Sequence, residues 1–214
     1  MEKDARSAPS AGADDPGQAG AARQAGVPAP GCCRIGPFGT GADDRGNGEV
    51  GGAGVPRREK TVDETATEVT HTVLYQDING VGRLYGGRLM EWIDEAAAIV
   101  ARRHCGGSVT TACVDQLQFR HPAYRNDIVD VVARVTYVGN TSLEVRVDSY
   151  VEDVRDGSRE KINRAFLTLV HVDELGRPRP VPYKLRLLTD EERSEHADAL
   201  KRLELRRLRR EEHY

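Results

Sequence analysis

Residues 89–101 form the most apolar stretch of the chain, and they decide most of what it can fold into. Met90, Trp92, Ile93, Ala96, Ala97, Ala98, Ile99 and Val100 fall within it. Its length and alanine content predict a helix, and its apolar arc is wide enough for a largely buried one. Gly106 and Gly107 stand where such a helix would stop. A helix of this kind needs a second layer to cover it.

The residues around it supply that layer. Residues 68–75 alternate as a strand, with Val69, Thr70, Thr72 and Val73 favouring extended backbone. After the helix come four β-rich runs: 110–119, 128–138, 143–154 and 162–172. In the second, Val129, Val131, Ala133, Val135 and Tyr137 share one face. In the third, Leu143, Val145, Val147 and Val151 face one way, and Glu144, Arg146, Asp148 and Glu152 the other, as in a half-exposed antiparallel strand. Gly139-Asn140 and Asp156-Gly157 read as turns between consecutive strands. The order predicts an α+β domain, a curved antiparallel sheet wrapped around one long buried helix.

Pro178, Pro180 and Pro182 then interrupt the pattern, and a charged helix is expected from about residue 190 to 210. Thr189 and Glu192 have capping-box spacing, with acids in the first turn and arginines in the last. Its leucines make no clean stripe, so it either lies loosely on the domain or projects from it. Residues 1–60 are of another kind. They hold 13 of the 22 glycines and 6 of the 10 prolines, too few apolar side chains to offset the entropy of ordering, and so are expected to be disordered. Val50 and Val55 lie just before the periodic pattern, and valine codons can serve as starts. The expected division is a Gly/Pro/Ala-rich tail over 1–60, a folded domain over 61–188 and a charged helix over 189–214.

Charge and cysteine content narrow the function. The 31 basic and 34 acidic side chains nearly balance, leaving no basic surplus for nucleic acid. No apolar run reaches the ~20 residues that span a bilayer, and no secretory signal opens the chain, so the expected compartment is the cytoplasm. Cys32, Cys33, Cys105 and Cys113 make neither a CxxC pair nor a zinc pattern. His71, His104, His121 and His171 lack metal-ligand spacing, and no metal or cofactor is expected. A Gly-x-Ser-x-Gly elbow is also absent.

Chemistry concentrates between residues 79 and 95. No GxGxxG or Gly-Lys-Ser/Thr pattern marks a nucleotide loop there. Gly86 and Gly87 open the buried helix, where free N–H groups can hold an anion or a developing oxyanion; the other reading is that they merely make the turn. Asp94 falls beside the polar stripe of Glu91, Glu95, Ala98 and Arg102. It is either a carboxylate partly set in apolar surroundings, suited to act as a base, or a solvated acid. Asn79 can orient water or a carbonyl, or simply form a turn.

The series Asn79-x-x-Gly82-x-x-x-Gly86-Gly87, Leu89-Met90 and Ile93-Asp94-Glu95-Ala96 resembles the pattern of the brain-type acyl-CoA hydrolases and their short bacterial relatives. The similarity continues through residues 99–105, 109–115 and 140–145, and through Leu175-Gly176-Arg177-Pro178 with Val181-Pro182. It covers roughly residues 69–188. The resemblance implies a hotdog fold acting as a dimer of hotdogs, sometimes a trimer of dimers, and metal-independent hydrolysis of acyl-CoA to CoA and fatty acid. It puts the family's catalytic aspartate on Asp94 and its asparagine on Asn79, the latter serving from the partner subunit. It also puts Thr141 and Ser142 in a loop near CoA. Backbone N–H groups of Gly86 or Gly87 would hold the oxyanion. An acyl-CoA-sensing hotdog without activity is the alternative, though no helix-turn-helix pattern precedes residue 61. The pairs Arg206-Arg207 and Arg209-Arg210, beside Glu211 and Glu212, read as a solvated helix end rather than a docking site.

Overall fold

The computed structural model describes residues 57–212. In chain order it has β1 (Arg58–Thr61), β2 (Thr67–Thr72), a 3-10 turn (Tyr75–Asp77), α1 (Gly86–Cys105), β3 (Ser108–Phe119), β4 (Ile128–Val138), β5 (Ser142–Glu152), β6 (Arg159–Val172), β7 (Tyr183–Arg186) and α2 (Asp190–Glu211). Five strands form one antiparallel sheet in the order β2-β4-β5-β6-β3. The stretch of residues 1–56, most of the expected tail, lies outside the described residues.

Helix α1 buries Leu89, Trp92, Ile93, Ala96, Ala97, Val100, Ala101 and Cys105, a stripe at intervals of three and four. The stripe packs on the inner sheet face, made by Val129, Val131, Ala133 and Val135 of β4, Leu143, Val145 and Val147 of β5, and Ala165, Leu167 and Leu169 of β6. The three alanines present no long side chains, so the helix backbone lies close to the sheet. Ile93 is 1% exposed, and cutting it to alanine would cost about 2–5 kcal/mol. Trp92 stacks on His71 of β2 at 4.2 Å between nearly parallel rings, which fixes the helix against that sheet edge. Gly106 ends the helix in the left-handed conformation, φ 67°, and its N–H donates to the Arg102 carbonyl.

Several expectations need correction. Tyr75 opens the 3-10 turn instead of ending β2. Residue 154 lies in the β5–β6 turn, and Arg159, Glu160 and Lys161 extend β6 by pairing with the end of β5. A register shift between Val135 and Tyr137 turns Tyr137 away from the inner face, and its ring meets His196 of α2. Glu144, Arg146 and Asp148 follow the expected alternation but are not exposed; each is at most 6% accessible.

Asp148 is enclosed by Arg146, Lys161 and Arg164, but for Glu144 and Arg146 the cause is α2, which neither projects nor lies loosely. Its N-terminus carries the capping box expected of Thr189 and Glu192: the Thr189 hydroxyl accepts from the Glu192 N–H, and the Glu192 carboxylate accepts from the Thr189 N–H. The helix then runs over the outer sheet face and docks by charge. Arg202 and Arg206 bind Glu144, Arg206 also binds Asp115, and Glu195 pairs with Arg146. Arg206 is therefore a buried anchor and no solvated helix end; Arg209 reaches Asp115 as well, while Arg207 pairs with Glu211.

Two short strands were not foreseen. Strands β1 and β7 pair in parallel, Arg58 with Tyr183 through Thr61 with Arg186. The pair sits at the C-terminal end of α1. Lys60 donates to the Arg103 and His104 carbonyls at 2.5 and 3.2 Å and lies over the Tyr183 ring. It supplies the positive charge a helix C-terminus favours.

Candidate functional site

The loop before α1 is built on Asp77. Its buried carboxylate accepts from the Leu74 N–H and pairs with the Arg88 guanidinium at 2.9 Å, and its carbonyl accepts from the Tyr85 N–H. Between these anchors Asn79 closes a tight turn. Its Oδ1 accepts from the Val81 and Arg83 N–H groups, its carbonyl accepts from the Gly82 N–H, and Gly82 has φ 75°. Asn79 is thus a turn former whose Nδ2 group meets no acceptor among the described residues. The turn reading of Asn79 is what the hydrogen bonds show, and the amide nitrogen is left over as a donor.

Gly86 and Gly87 are not there for backbone freedom, since neither has positive φ. They are there for space. A Cβ on Gly86 would sit 3.2 Å from the Phe119 ring, and one on Gly87 would collide with the Tyr85 ring. Tyr85, the N-cap residue, offers no side-chain cap. The N–H groups of Gly86, Gly87 and Arg88 therefore meet no acceptor among the described residues, and the helix dipole adds partial positive charge there.

Asp94 lies further along α1. In the single chain it is exposed rather than set in apolar surroundings, because the buried stripe passes through Ile93 and Ala97 and leaves it at the margin. Its Oδ1 accepts a 2.6 Å hydrogen bond from the Thr111 hydroxyl of β3. Thr111 escaped the sequence reading, where it was one threonine in a β-rich run. A register shift between Thr111 and Cys113 decides its direction: Thr111 faces α1, while Cys113 and Asp115 face α2.

Seven residues separate Gly87 from Asp94, about 10 Å along the helix axis at 1.5 Å per residue. Gly86 and Gly87 thus open α1, Asn79 stands in the turn that leads to them, two residues beyond the Asp77–Tyr85 contact, and Asp94 with Thr111 lies at a second place. Thr141 and Ser142 lie elsewhere again, in the β4–β5 turn, where the Thr141 carbonyl accepts from the His171 N–H. Ser142 pairs with Val170, which pairs with Thr110, so it stands two strands, about 10 Å, from β3. A cleft of about 360 Å³ beside this turn is lined by Arg57, Tyr137, Asn140, Lys184 and His196 among others.

Among the described residues, no three His, Cys, Asp or Glu side chains are grouped to hold a metal, and no helix is long and apolar enough to cross a membrane. Burial pushes the Cys105 thiol up to about 11, which leaves it protonated and unreactive.

One long helix laid on a five-stranded antiparallel sheet makes this a hotdog-fold domain. The Thioesterase superfamily profile matches residues 81–158. The chain is 37% identical over 147 residues to the uncharacterised acyl-CoA thioester hydrolase YkhA of Bacillus subtilis, covering 69% of this chain and 85% of that protein. It is 30% identical to the mouse cytosolic acyl coenzyme A thioester hydrolase, but spans only 39% of that longer protein. Among solved structures, an acyl-CoA hydrolase from Staphylococcus aureus in complex with butyryl-CoA, CoA and CoA disulfide superposes with a TM-score of 0.68 at 36% identity, covering 72% of this chain and 93% of that one. Alanine variants of that enzyme exist at an aspartate, at an asparagine fifteen residues before it and at a threonine seventeen residues after it. Hexameric acyl-CoA thioesterases are also among the structures it resembles. The chain belongs to the thioesterase superfamily, with the acyl-CoA thioester hydrolases.

Proposed function

We propose that the chain hydrolyses acyl-CoA to free CoA and a fatty acid in a site shared by two subunits, without a metal. One subunit contributes Asp94 with Thr111; the other contributes Asn79, Gly86 and Gly87. The observation that carries this reading is the Thr111–Asp94 hydrogen bond. It holds one carboxylate oxygen and leaves the other to act on a reactant. The intervals between Asn79, Asp94 and Thr111 equal those between the residues varied in the S. aureus enzyme, which supports the same three residues here.

In the proposed reaction Asp94 takes a proton from water as the water oxygen adds to the thioester carbonyl carbon. The carbonyl oxygen becomes an oxyanion held by the N–H groups at Gly86 or Gly87. Asn79 donates from Nδ2 to the water or the thioester. The intermediate then collapses, the C–S bond breaks, and the CoA thiolate recovers the proton from Asp94. Direct attack by Asp94, giving an anhydride that water opens, uses the same groups. Thr141 and Ser142 are assigned to the CoA moiety.

The need for two chains has a geometric basis. Within one chain Gly87 and Asp94 stand about 10 Å apart along α1, which supports drawing the oxyanion donors and the base from different chains. The outer edge of β3 pairs with no strand among the described residues and is flanked by exposed Met90, Val114 and Phe119. A second copy would cover such an edge in a two-fold pair, and a trimer of such pairs would give a hexamer. The test is thiol release from acyl-CoAs of increasing length by wild type and by Asp94→Asn. Wild type should turn over, and the variant should lose at least ~10²-fold in kcat with little change in melting. Binding of acyl-CoA without thiol release would favour a sensor; an active Asp94→Asn would make Asp94 a surface acid.

A further inference from the structure

The outer face of the sheet carries a group of buried charges that the proposed reaction does not use. Asp115 of β3 is 8% exposed and Glu144 of β5 is 1% exposed. Arg206 of α2 binds both, at 2.8 and 2.9 Å. Glu144 also accepts from Arg202 and from the Thr136 hydroxyl of β4. The Arg202 guanidinium lies 3.6 Å over the ring of Phe166, and Phe166 is the β6 partner of Asp115. Two arginines of α2 therefore lace β4, β5, β6 and β3 together from behind.

The lacing meets β3 at one place. That strand is at the sheet edge and is held along its length by β6 alone, and this pairing breaks twice, between Thr111 and Cys113 and between Asp115 and Gln118. Gln116 within the second break has φ 55°, an uncommon conformation for a side chain other than glycine. The short run between the breaks faces α2, while Thr111, just before it, faces Asp94. Whatever fixes that run fixes the bulge, and the bulge aims Thr111.

We infer that the Arg206–Asp115 pair, backed by Glu144, is a positioning device for Thr111 and through it for the Asp94 carboxylate. The inference rests on the proposed role of Asp94 and Thr111. Neither Asp115 nor Arg206 faces the substrate side of the sheet. Their effect on turnover passes through the aim of one hydroxyl, and a small displacement of a group that orients a base is costly to kcat while leaving binding elsewhere intact.

The test is a double-mutant cycle on the full chain. Asp115→Asn and Arg206→Lys are each made alone and together with Thr111→Val, and kcat and KM for an acyl-CoA are measured with the melting temperature. In the presence of Thr111 each variant should lower kcat about tenfold and leave KM within about twofold. Combined with Thr111→Val, each should change kcat by less than about twofold, because the hydroxyl they aim is gone. Equal losses with and without Thr111, or no loss in either case, would overturn the positioning role. So would failure of both variants to fold, which would make the network purely structural; if only one folds, it carries the cycle. Undiminished kcat in Thr111→Val alone would overturn the site reading itself.

Discussion

If one site takes Asp94 from one chain and Asn79 from its partner, then Asn79→Ala and Asp94→Ala each spoil both sites of their own dimer. Mixing them changes the count. In a mixed dimer one site collects both lesions and the other collects none. Random pairing makes about half of the dimers mixed, and half of their sites intact, so roughly a quarter of wild-type activity should return. The structural basis is the separation along α1, about 10 Å between Gly87 and Asp94, with Asn79 in the turn that precedes the glycines. The assay is thiol release from co-expressed chains, with sizing to check that both variants assemble equally. If all the groups act within one chain, every site in every mixture carries one lesion. Activity no higher than the mean of the two single variants would therefore remove the shared site, while leaving the hydrolase assignment standing.

Three further outcomes test other parts of the structure. A chain beginning at Val55 should keep its melting temperature and kcat, whereas one beginning at Val62 loses β1 and the Lys60 contacts and should melt about 2–4 °C lower for each ~1 kcal/mol removed; equal melting would mean the β1–β7 pair is dispensable. Glu144→Ala takes from Arg202 its carboxylate partner and leaves Arg206 with Asp115 alone, and should cost about 3–5 kcal/mol in urea unfolding; under 1 kcal/mol would mean that water reaches those guanidinium groups. Burial holds the His104 imidazole below its ordinary value of 6.5. The unfolded chain binds that proton first as pH falls, so stability should decline from about pH 6.5 downward until the folded group titrates. His104→Gln should flatten part of that decline, leaving the share owed to His71, whose imidazole is lowered in the same way; an unchanged slope would clear His104 of the effect.

The parts of the fold that could be read from sequence are those set by local periodicity. The α1 stripe repeats at three and four residues, β4 alternates from Val129 to Val135, and Thr189 with Glu192 announces α2. Missed features depend on partners far along the chain. Glu144 and Arg146 alternate like solvent-facing residues and give no sign that α2 will cover them. The register shifts at Thr111, Asp115 and Val135 come from how neighbouring strands meet, so the direction of Thr111 and of Tyr137 could not be read from spacing. Strands β1 and β7 are four residues each and are defined only by one another. For the site, the residue types around Asn79 and Asp94 suggested candidates without ranking them. The Phe119 ring over Gly86 and the Thr111 hydroxyl on Asp94 are contacts between residues far apart in sequence, and spacing gave no sign of them.

The parallel pairing of β1 with β7 also bears on how the chain is made. β1 leaves the ribosome early, and its partner follows more than a hundred residues later. Until then Lys60 has no neighbouring strand to hold it under the last carbonyls of α1. The sheet can assemble hairpin by hairpin as β4, β5 and β6 appear, but the end of α1 is secured only once β7 has been made. A nascent chain arrested before residue 183 should therefore expose that helix end to hydrogen exchange, while the β4–β5 hairpin is already protected.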